Sequence, residues 1–380
     1  MKKRWLGVGL FFVFCLWLGG VAAAAEPGDG IRDILAQWKE KRAEEEAART
    51  RRPPERTEPG GIRLLWQREF GRKEDVLEPP AASGVNVISP CWFVVADEKG
   101  TIKAYEGKAD RRYSDAAHAK GYKVWALVGN GGFDPDVTGR FLANPQGQET
   151  AIKNLLKMAE TCKLDGFNID FENINLEDRD RLTAFVKAAA RAFHQKGLTV
   201  SMDVTIPGGS PNWSLCYDRR ALAESLDYLA LMAYDEHGAG ASEAGPVASL
   251  PWVERGLEAT LEEVPPEKLL LGMPLYMRIW EEKGGQLQSV KTLYMEKAEQ
   301  LLKEKKPVRY WQPELGLYYF EYREGGSLYR VWQEDRRSLT LKAALISRYD
   351  LAGAAFWRAG HETADVWPVL DAVIGTTAAH

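Results

Sequence analysis

No two cysteines of this chain are spaced to chelate a metal or to staple a small fold: Cys15, Cys91, Cys162 and Cys216 stand far apart. Histidine is sparse as well. The five residues, His118, His194, His237, His361 and His380, include no HExxH, so no histidine metal site is expected, and no cofactor. Neither sign of charge dominates, with 50 Lys and Arg against 54 Asp and Glu and a net of -4, which leaves no basic footprint for nucleic acid. The Gly129-Asn130-Gly131-Gly132 segment lacks the GxGxxG and Gly-Lys-Ser spacings of phosphate loops and reads as a strand-end turn. With 45% hydrophobic and 27% charged residues, the 380-residue chain is ordinary globular material, which excludes disorder and a multi-span membrane protein. Aromatic residues are what it has in plenty: 13 Trp, 14 Tyr and 13 Phe, with more Trp than a cytosolic enzyme ordinarily carries.

Residues 1–25 combine a basic start, an apolar run from Trp5 to about Val21, and Ala23-Ala24-Ala25 before Glu26, the grammar of a secretory signal. An uncleaved anchor, and with it a membrane tether, is the alternative, since the apolar run is about long enough to cross a bilayer. Cleavage would remove Lys2, Lys3 and Arg4, moving the net charge from -4 to about -7, and leave three cysteines. The expected location is secreted or cell-wall associated. Residues 26–60 are charged, poor in large apolar side chains and closed by Pro53-Pro54 and Pro59-Gly60-Gly61, and they read as a spacer.

From residue 61 to 375, short apolar runs alternate with amphipathic stretches, the order of an α/β fold with parallel strands. The runs fall at 64–70, 85–95, 123–130, 166–172, 198–205, 226–234, 269–276 and 353–357, which makes eight, the number of a closed (β/α)8 TIM barrel. Ile152, Leu155, Leu156, Ala159 and Cys162 form one helical stripe; Leu182, Phe185, Val186, Ala189 and Phe193 form another, stopped by Gly197. A third helix opens at Pro251 after a Ser249 cap. The stretch between the last two strands exceeds what a βα unit needs, and its helical segment (295–305) and strand-like runs (308–311, 317–322, 328–333) predict a small α+β insertion at about 285–335 on the catalytic face.

The segment DGFNIDFE (165–172) carries the chemistry. On a strand Asn168, Asp170 and Glu172 share one face and Phe167, Ile169 and Phe171 the other. Turning the polar set inward puts two carboxylates in a confined cavity, which is costly without a use, and no basic residue between Gly166 and Asn175 pairs with them locally. Asp170 and Glu172 project from one side with a rise of ~6.6 Å between them. Ordinary glycosidases set the second carboxylate across the sugar ring. Here either a third acid does so, Asp203 and Asp235 lying near strand ends, or the substrate supplies its own nucleophile through a 2-acetamido carbonyl. In the second case Glu172 is general acid and later base, and Asp170 the orienting charge.

DGFNIDFE resembles the DxxDxDxE signature of glycoside hydrolase family 18, a family of (β/α)8 barrels with that substrate-assisted retaining mechanism. LMAYDEH (231–237) is similar to its sixth-strand MxYD element, LGMPLYMR (271–278) to its seventh-strand element and GAAFWRAG (353–360) to its eighth-strand tryptophan, so the resemblance covers most of residues 61–372. It implies that Tyr234 hydrogen-bonds the acetamido group, that Asp235 supports the site, that Trp357 floors the reacting sugar, and that Tyr276 and Arg278 lie close. Asn168 stands where the family usually has aspartate. NIDFEN and YDEHGAG are similar to the branch of bacterial spore cortex-lytic N-acetylglucosaminidases, which share that Asn. With Asn168 donating only a neutral hydrogen bond, Asp170 is expected to stay ionised and to raise the pKa of Glu172. The expected partner is therefore a polysaccharide containing N-acetylglucosamine, peptidoglycan ahead of chitin. The alternatives are a non-catalytic sugar-binding barrel of the same family, and a glycosidase using Asp203 or Asp235 across the ring.

Other signals have plainer readings. Ser201, Asp203 and Thr205 share the inward face of the fifth strand, with Asp203 divided between substrate contact and internal hydrogen bonding. Trp92, Trp125 and Trp280 fall near strand ends where they could stack on sugars, although core packing accounts for each. A backbone partner suffices for His237.

Overall fold

The computed structural model describes residues 61–68, 78–104 and 109–375, and the expected signal and spacer lie outside them. In chain order the strands begin β1 (Ile62–Gln67), β2 (Val87–Val95), β3 (Ile102–Ala104), β4 (Lys123–Asn130), β5 (Gly166–Asp170), β6 (Thr199–Thr205), β7 (Tyr228–Met232) and β8 (Leu269–Pro274). They continue with β9 (Tyr276–Lys283), β10 (Gln286–Tyr294), β11 (Arg309–Gln312), β12 (Leu317–Glu324), β13 (Ser327–Gln333) and β14 (Gly353–Trp357). All eight runs become parallel strands in the order β1-β14-β8-β7-β6-β5-β4-β2, and β1 pairs with β2 to close the ring as a (β/α)8 barrel. β3 adds an antiparallel ribbon to β2 that the sequence pattern does not announce. Closure brings β14 hard against β1: a Cβ at Gly353 would stand 1.8 Å from the carbonyl oxygen of Ile62, so only glycine fits.

The helical stripes face the barrel. In the helix Arg179–His194, Leu182, Phe185, Val186, Ala189 and Phe193 are all buried, and in Pro145–Cys162 the buried line runs Ala151, Leu155, Ala159 and Cys162. Asn144 caps the latter through Gly147 N–H, with Pro145 opening the first turn. The helix Leu250–Leu261 begins where expected, but Ser249 is not its hydrogen-bonding cap. Its hydroxyl donates to Glu236 at 3.0 Å instead, tying the helix start to the loop after β7.

The insertion is larger than the pattern indicates. The seventh run is broken at Pro274, which has no N–H for a ladder, and the chain restarts at Tyr276 as β9, the first strand of a separate antiparallel sheet ordered β10-β9-β13-β12-β11. The β9–β10 hairpin turns on Gly284-Gly285, both at positive φ, and starts the insertion at 276 rather than near 285. Trp280, Leu317, Tyr319 and Trp332 cluster on one face of the sheet over Ala241 and Ala244 of the loop after β7, where Trp280 Nε1 donates to Gly245 O at 2.9 Å.

Past β13 the chain returns to the barrel through a buried ion pair. Lys342 Nζ donates to both carboxylate oxygens of Glu334 at 2.9 Å each, and Ser338 Oγ donates to one of them at 2.6 Å, with Lys342 and Glu334 almost fully shielded from solvent. Removing one partner of such a pair strands the other charge, at a cost of about 3–5 kcal/mol, whereas removing both is close to neutral. Lys342→Met should therefore lower the urea unfolding free energy by about that amount, and Glu334→Leu/Lys342→Met should restore most of it. Equal losses in the single and double variants would show that the pair is not what joins the two elements.

Candidate active site

The alternation in β5 falls as the sequence pattern requires. Phe167 faces outward onto Phe193, with ring centroids 4.7 Å apart, and Phe171 stacks on Phe185 at 5.7 Å, which turns Asn168 and Asp170 into the barrel. The strand ends at Asp170, two residues short of the run, and Asn173 with φ of 53° turns the chain away. Glu172 is held at that end by Asn130, the last residue of β4. Asn130 Oδ1 accepts from Glu172 N–H at 2.9 Å, and Asn130 Nδ2 donates to Glu172 O at 2.8 Å and to Thr138 Oγ1 at 2.9 Å.

Asp170 and Glu172 line a cavity at the C-terminal ends of the strands together with Asp203, Tyr234, Asp235 and Tyr276, and Trp357 forms part of its wall. Burial is the first cause of the shifts in its acids. Asp170 rises to about 7 against the opposing field of Arg68 and a hydrogen bond from Glu172. Burial, then the charges of Asp170 and Asp235, push Glu172 well above the usual carboxylate range. Asp203 is raised the same way, by burial and then by Asp170. The expectation that Asp170 stays ionised is thus corrected. Loss of water around it outweighs the field of Arg68 and pushes its carboxyl upward, and Glu172 is pushed further still.

Asn168 lies behind the cavity rather than in its lining. It is fully buried, and its Oδ1 accepts from Trp66 Nε1 at 2.8 Å while its Nδ2 donates to Ser201 Oγ at 3.0 Å and Asp203 Oδ1 at 2.8 Å. Its hydrogen bonds thus run to β1 and β6, and Asp203 both lines the cavity and serves this internal network. Across the site Tyr276 Oη and Arg278 Nη2 both donate to Asp235 Oδ1 at 2.7 Å, fixing a residue whose φ of 63° is unusual outside glycine. Arg278 therefore meets the site through Asp235. Tyr234 stands edge-on to Tyr276 at 6.3 Å, its hydroxyl kept protonated by burial and then by Asp203.

The remaining aromatic candidates belong to the core. Trp92 packs on Tyr113 at 5.1 Å, Trp125 stacks on Tyr228 at 5.7 Å, and Trp280 lies under the inserted sheet. His237 Nδ1 pairs with Pro246 O at 2.9 Å, as the plain reading has it. Three polar lining residues, Arg68, Cys91 and the clamp Asn130, are absent from the sequence candidates. The signal for Asn130 is its place at the end of a barrel strand on the catalytic face.

A closed barrel with paired acids at the C-terminal ends of its strands is an arrangement suited to acid–base chemistry on a bound substrate. Residues 70–362 match the model of glycosyl hydrolases family 18, and the chain belongs to that family. It is similar to the uncharacterized glycosylase YvbX of Bacillus subtilis (26% identity, covering 70% of this chain and 78% of that protein). The cortical fragment-lytic enzyme of Bacillus anthracis is 26% identical over 64% of this chain, a match that spans only 57% of that enzyme. The fold is that of a chitinase from Chromobacterium violaceum, with a TM-score of 0.72 at 24% identity over 83% of this chain and 99% of that one.

Asn130 holds the backbone of Glu172 through two hydrogen bonds, which predicts a positioning role. Asn130→Ala should lower kcat by about 10- to 100-fold with little change in KM, because a displaced acid loses transition-state geometry and not substrate contacts. A rise in KM at unchanged kcat would assign Asn130 to ground-state binding instead.

Proposed function

We propose that this glycoside hydrolase cleaves β-linked N-acetylhexosamine polymers with retention, peptidoglycan ahead of chitin, the substrate's own acetamido group acting as nucleophile. The hydrogen-bonded Asp170–Glu172 pair carries this reading, because among the described residues no other lining acid is suited to attack from across the ring. Asp203 is buried with its pKa raised and accepts from Asn168, and Asp235 is engaged by Tyr276 and Arg278. Glu172 protonates the glycosidic oxygen as the acetamido carbonyl oxygen bonds to C1 and the leaving sugar departs. Asp170 accepts the acetamido N–H and balances the oxazolinium, while Tyr234 donates to the carbonyl oxygen. Glu172, now a carboxylate, takes a proton from water as that water attacks C1 and reopens the ring, restoring the starting configuration. The similarity to an enzyme named as cortical fragment-lytic supports peptidoglycan, and the pattern of residues 1–25 supports export to reach it.

Digestion of peptidoglycan and chitin oligomers, with products identified by mass, tests the reading. Glu172→Gln should lower kcat by about 10²- to 10⁴-fold, the usual worth of a general acid. Turnover surviving in that variant, or equal activity on glycans without a 2-acetamido group, would overturn the mechanism.

The pH profile follows from the two acids. Asp170 must be ionised, so kcat/KM should fall as pH drops below about 7, and Glu172 must be protonated, so it should fall again at higher pH as that proton is lost. Asn168→Asp sets a further carboxylate beside Asp203 in place of a donor, and should move the acid limb to higher pH more than it changes KM. An unmoved acid limb would show that Asn168 does not influence the pair.

A further inference from the structure

Of the tryptophans among the described residues, one alone is exposed. Trp213, with 42% of its surface open, stands in a single π-helical turn (Pro211–Leu215) on the loop that follows β6, at the same end of the barrel as the cavity. Leu215 beside it is 45% exposed, and Leu176 at 41% lies on the neighbouring loop after β5, whose short turn Leu176–Asp178 packs against the Trp213 turn. Half-buried amides edge these side chains, with Asn212 Nδ2 donating to Asn175 Oδ1 at 3.3 Å. Among the described residues no hydrogen bond or ring contact engages the Trp213 indole. Apolar surface with a polar rim is disfavoured in water and relieved by a ligand that covers it.

The turn is held firmly, and the indole is not what holds it. Thr205 Oγ1 donates to Trp213 O, and the buried guanidinium of Arg219 donates to Thr205 O at 2.9 Å and to the backbone and side-chain oxygens of Ser214 at 3.2 and 3.0 Å. Gly208 N–H donates to Ser214 Oγ at 2.8 Å, which closes the loop on itself. Two further bonds tie it to the segment that carries the acids: Tyr217 Oη donates to Phe171 O at 2.8 Å, and Ile174 N–H donates to Asn212 O at 3.0 Å. Ile174 lies two residues past Glu172, so the Trp213 backbone is at most roughly 19 Å from that acid's Cα. A large ring presented on a preorganised loop gives up little conformational freedom on binding.

We propose that Trp213, with Leu176 and Leu215, forms an outer sugar subsite on the catalytic face, where a unit of the N-acetylhexosamine chain beyond those held in the cavity stacks its apolar ring face. The proposal rests on the glycosidase reading and adds that the enzyme grips a length of chain and not only the sugars at the cut. Continuity identifies the occupant. A polymer whose reacting unit sits among Asp170, Glu172 and Trp357 has to leave the cavity over its rim, and the patch belongs to the loops that follow the strands of Asp170 and Asp203. Stacking sugar C–H groups on an aromatic face buries apolar area on both, and the indole N–H is placed to donate to a hydroxyl or acetamido oxygen.

Calorimetry on the full chain carrying Glu172→Gln tests this with a disaccharide and a hexasaccharide of peptidoglycan glycan and of chitin as probes. Adding Trp213→Ala should weaken hexasaccharide binding about ten-fold and leave disaccharide binding within about two-fold, and Trp213→Phe should keep much of the hexasaccharide affinity because a ring remains. Since the turn is bonded through the Trp213 carbonyl, both substitutions leave its hydrogen bonds in place. With Glu172 intact, Trp213→Ala should raise KM for the hexasaccharide at nearly unchanged kcat, the pattern of binding lost away from the reacting bond. Equal weakening of both lengths would overturn the proposal, and so would an unchanged hexasaccharide, which leaves the patch to another occupant such as a protein. Cleavage by the unsubstituted enzyme separates the two readings. Probes that are cleaved but bind without regard to Trp213 sink the subsite alone. A hexasaccharide that needs Trp213 to bind and is never cleaved sinks the glycosidase reading and keeps the subsite, whereas failure of every probe to bind sinks both.

Discussion

The hydrogen-bonded closeness of Asp170, which is buried, and Glu172, which is half-buried, is the interaction the surrounding structure serves. In water the two carboxyls would both ionise near pH 4. Inside the barrel burial raises both, and their closeness lets one ionise only at the expense of the other. Three arrangements keep that state. Arg68 favours the ionised form at Asp170, Asp235 adds to the upward push on Glu172, and Asn130 holds the Glu172 backbone against β4. Beneath them Asn168 joins Trp66, Ser201 and Asp203 into a buried polar floor with its hydrogen bonds satisfied, so the acids rest on a rigid base.

What could be read from the chain followed from short-range period. Alternation along residues 165–172 sends the aromatic side chains to the helix layer and the polar ones inward, and eight apolar runs give eight strands, because one-residue slips would bury charge. The errors lie where tertiary contact or a single backbone angle overrides period. Pro274 splits an unbroken apolar run into a barrel strand and an insertion strand, and the φ of Asn173 ends β5 before Glu172. Asn130 and Glu172 are 42 residues apart, and nothing local marks that pair. The Gly284-Gly285 turn, by contrast, was visible as a hairpin signal between two polar strands whose weak alternation hid them.

The abundance of tryptophan separates into different uses. Trp92, Trp125 and Trp280 are among the largest fully buried side chains and fill volume between layers. Trp66 is buried too, but its indole N–H reaches Asn168 and its ring meets Trp357 edge-on at 5.9 Å, so it braces the residue that does line the cavity. Aromatic content therefore marks the density of the core more than the length of a sugar-binding cleft, and here Trp357 is the one tryptophan in the cavity lining among the described residues.

The insertion is part of the site by construction. Because Pro274 ends β8 early, Tyr276 and Arg278 reach Asp235 from the inserted sheet. At its far end the Glu334–Lys342 pair fastens the chain back to the helix Arg336–Arg348, where the guanidiniums of Arg309 and Arg337 stack on Tyr318 and Trp311 at 3.7 and 3.9 Å. Swinging the sheet away from the barrel would break both bonds to Asp235 and open a buried ion pair to water, changes that are each unfavourable and that occur together. The sheet and the acids consequently keep one geometry, and the cavity wall is held by the same contacts that hold Asp235.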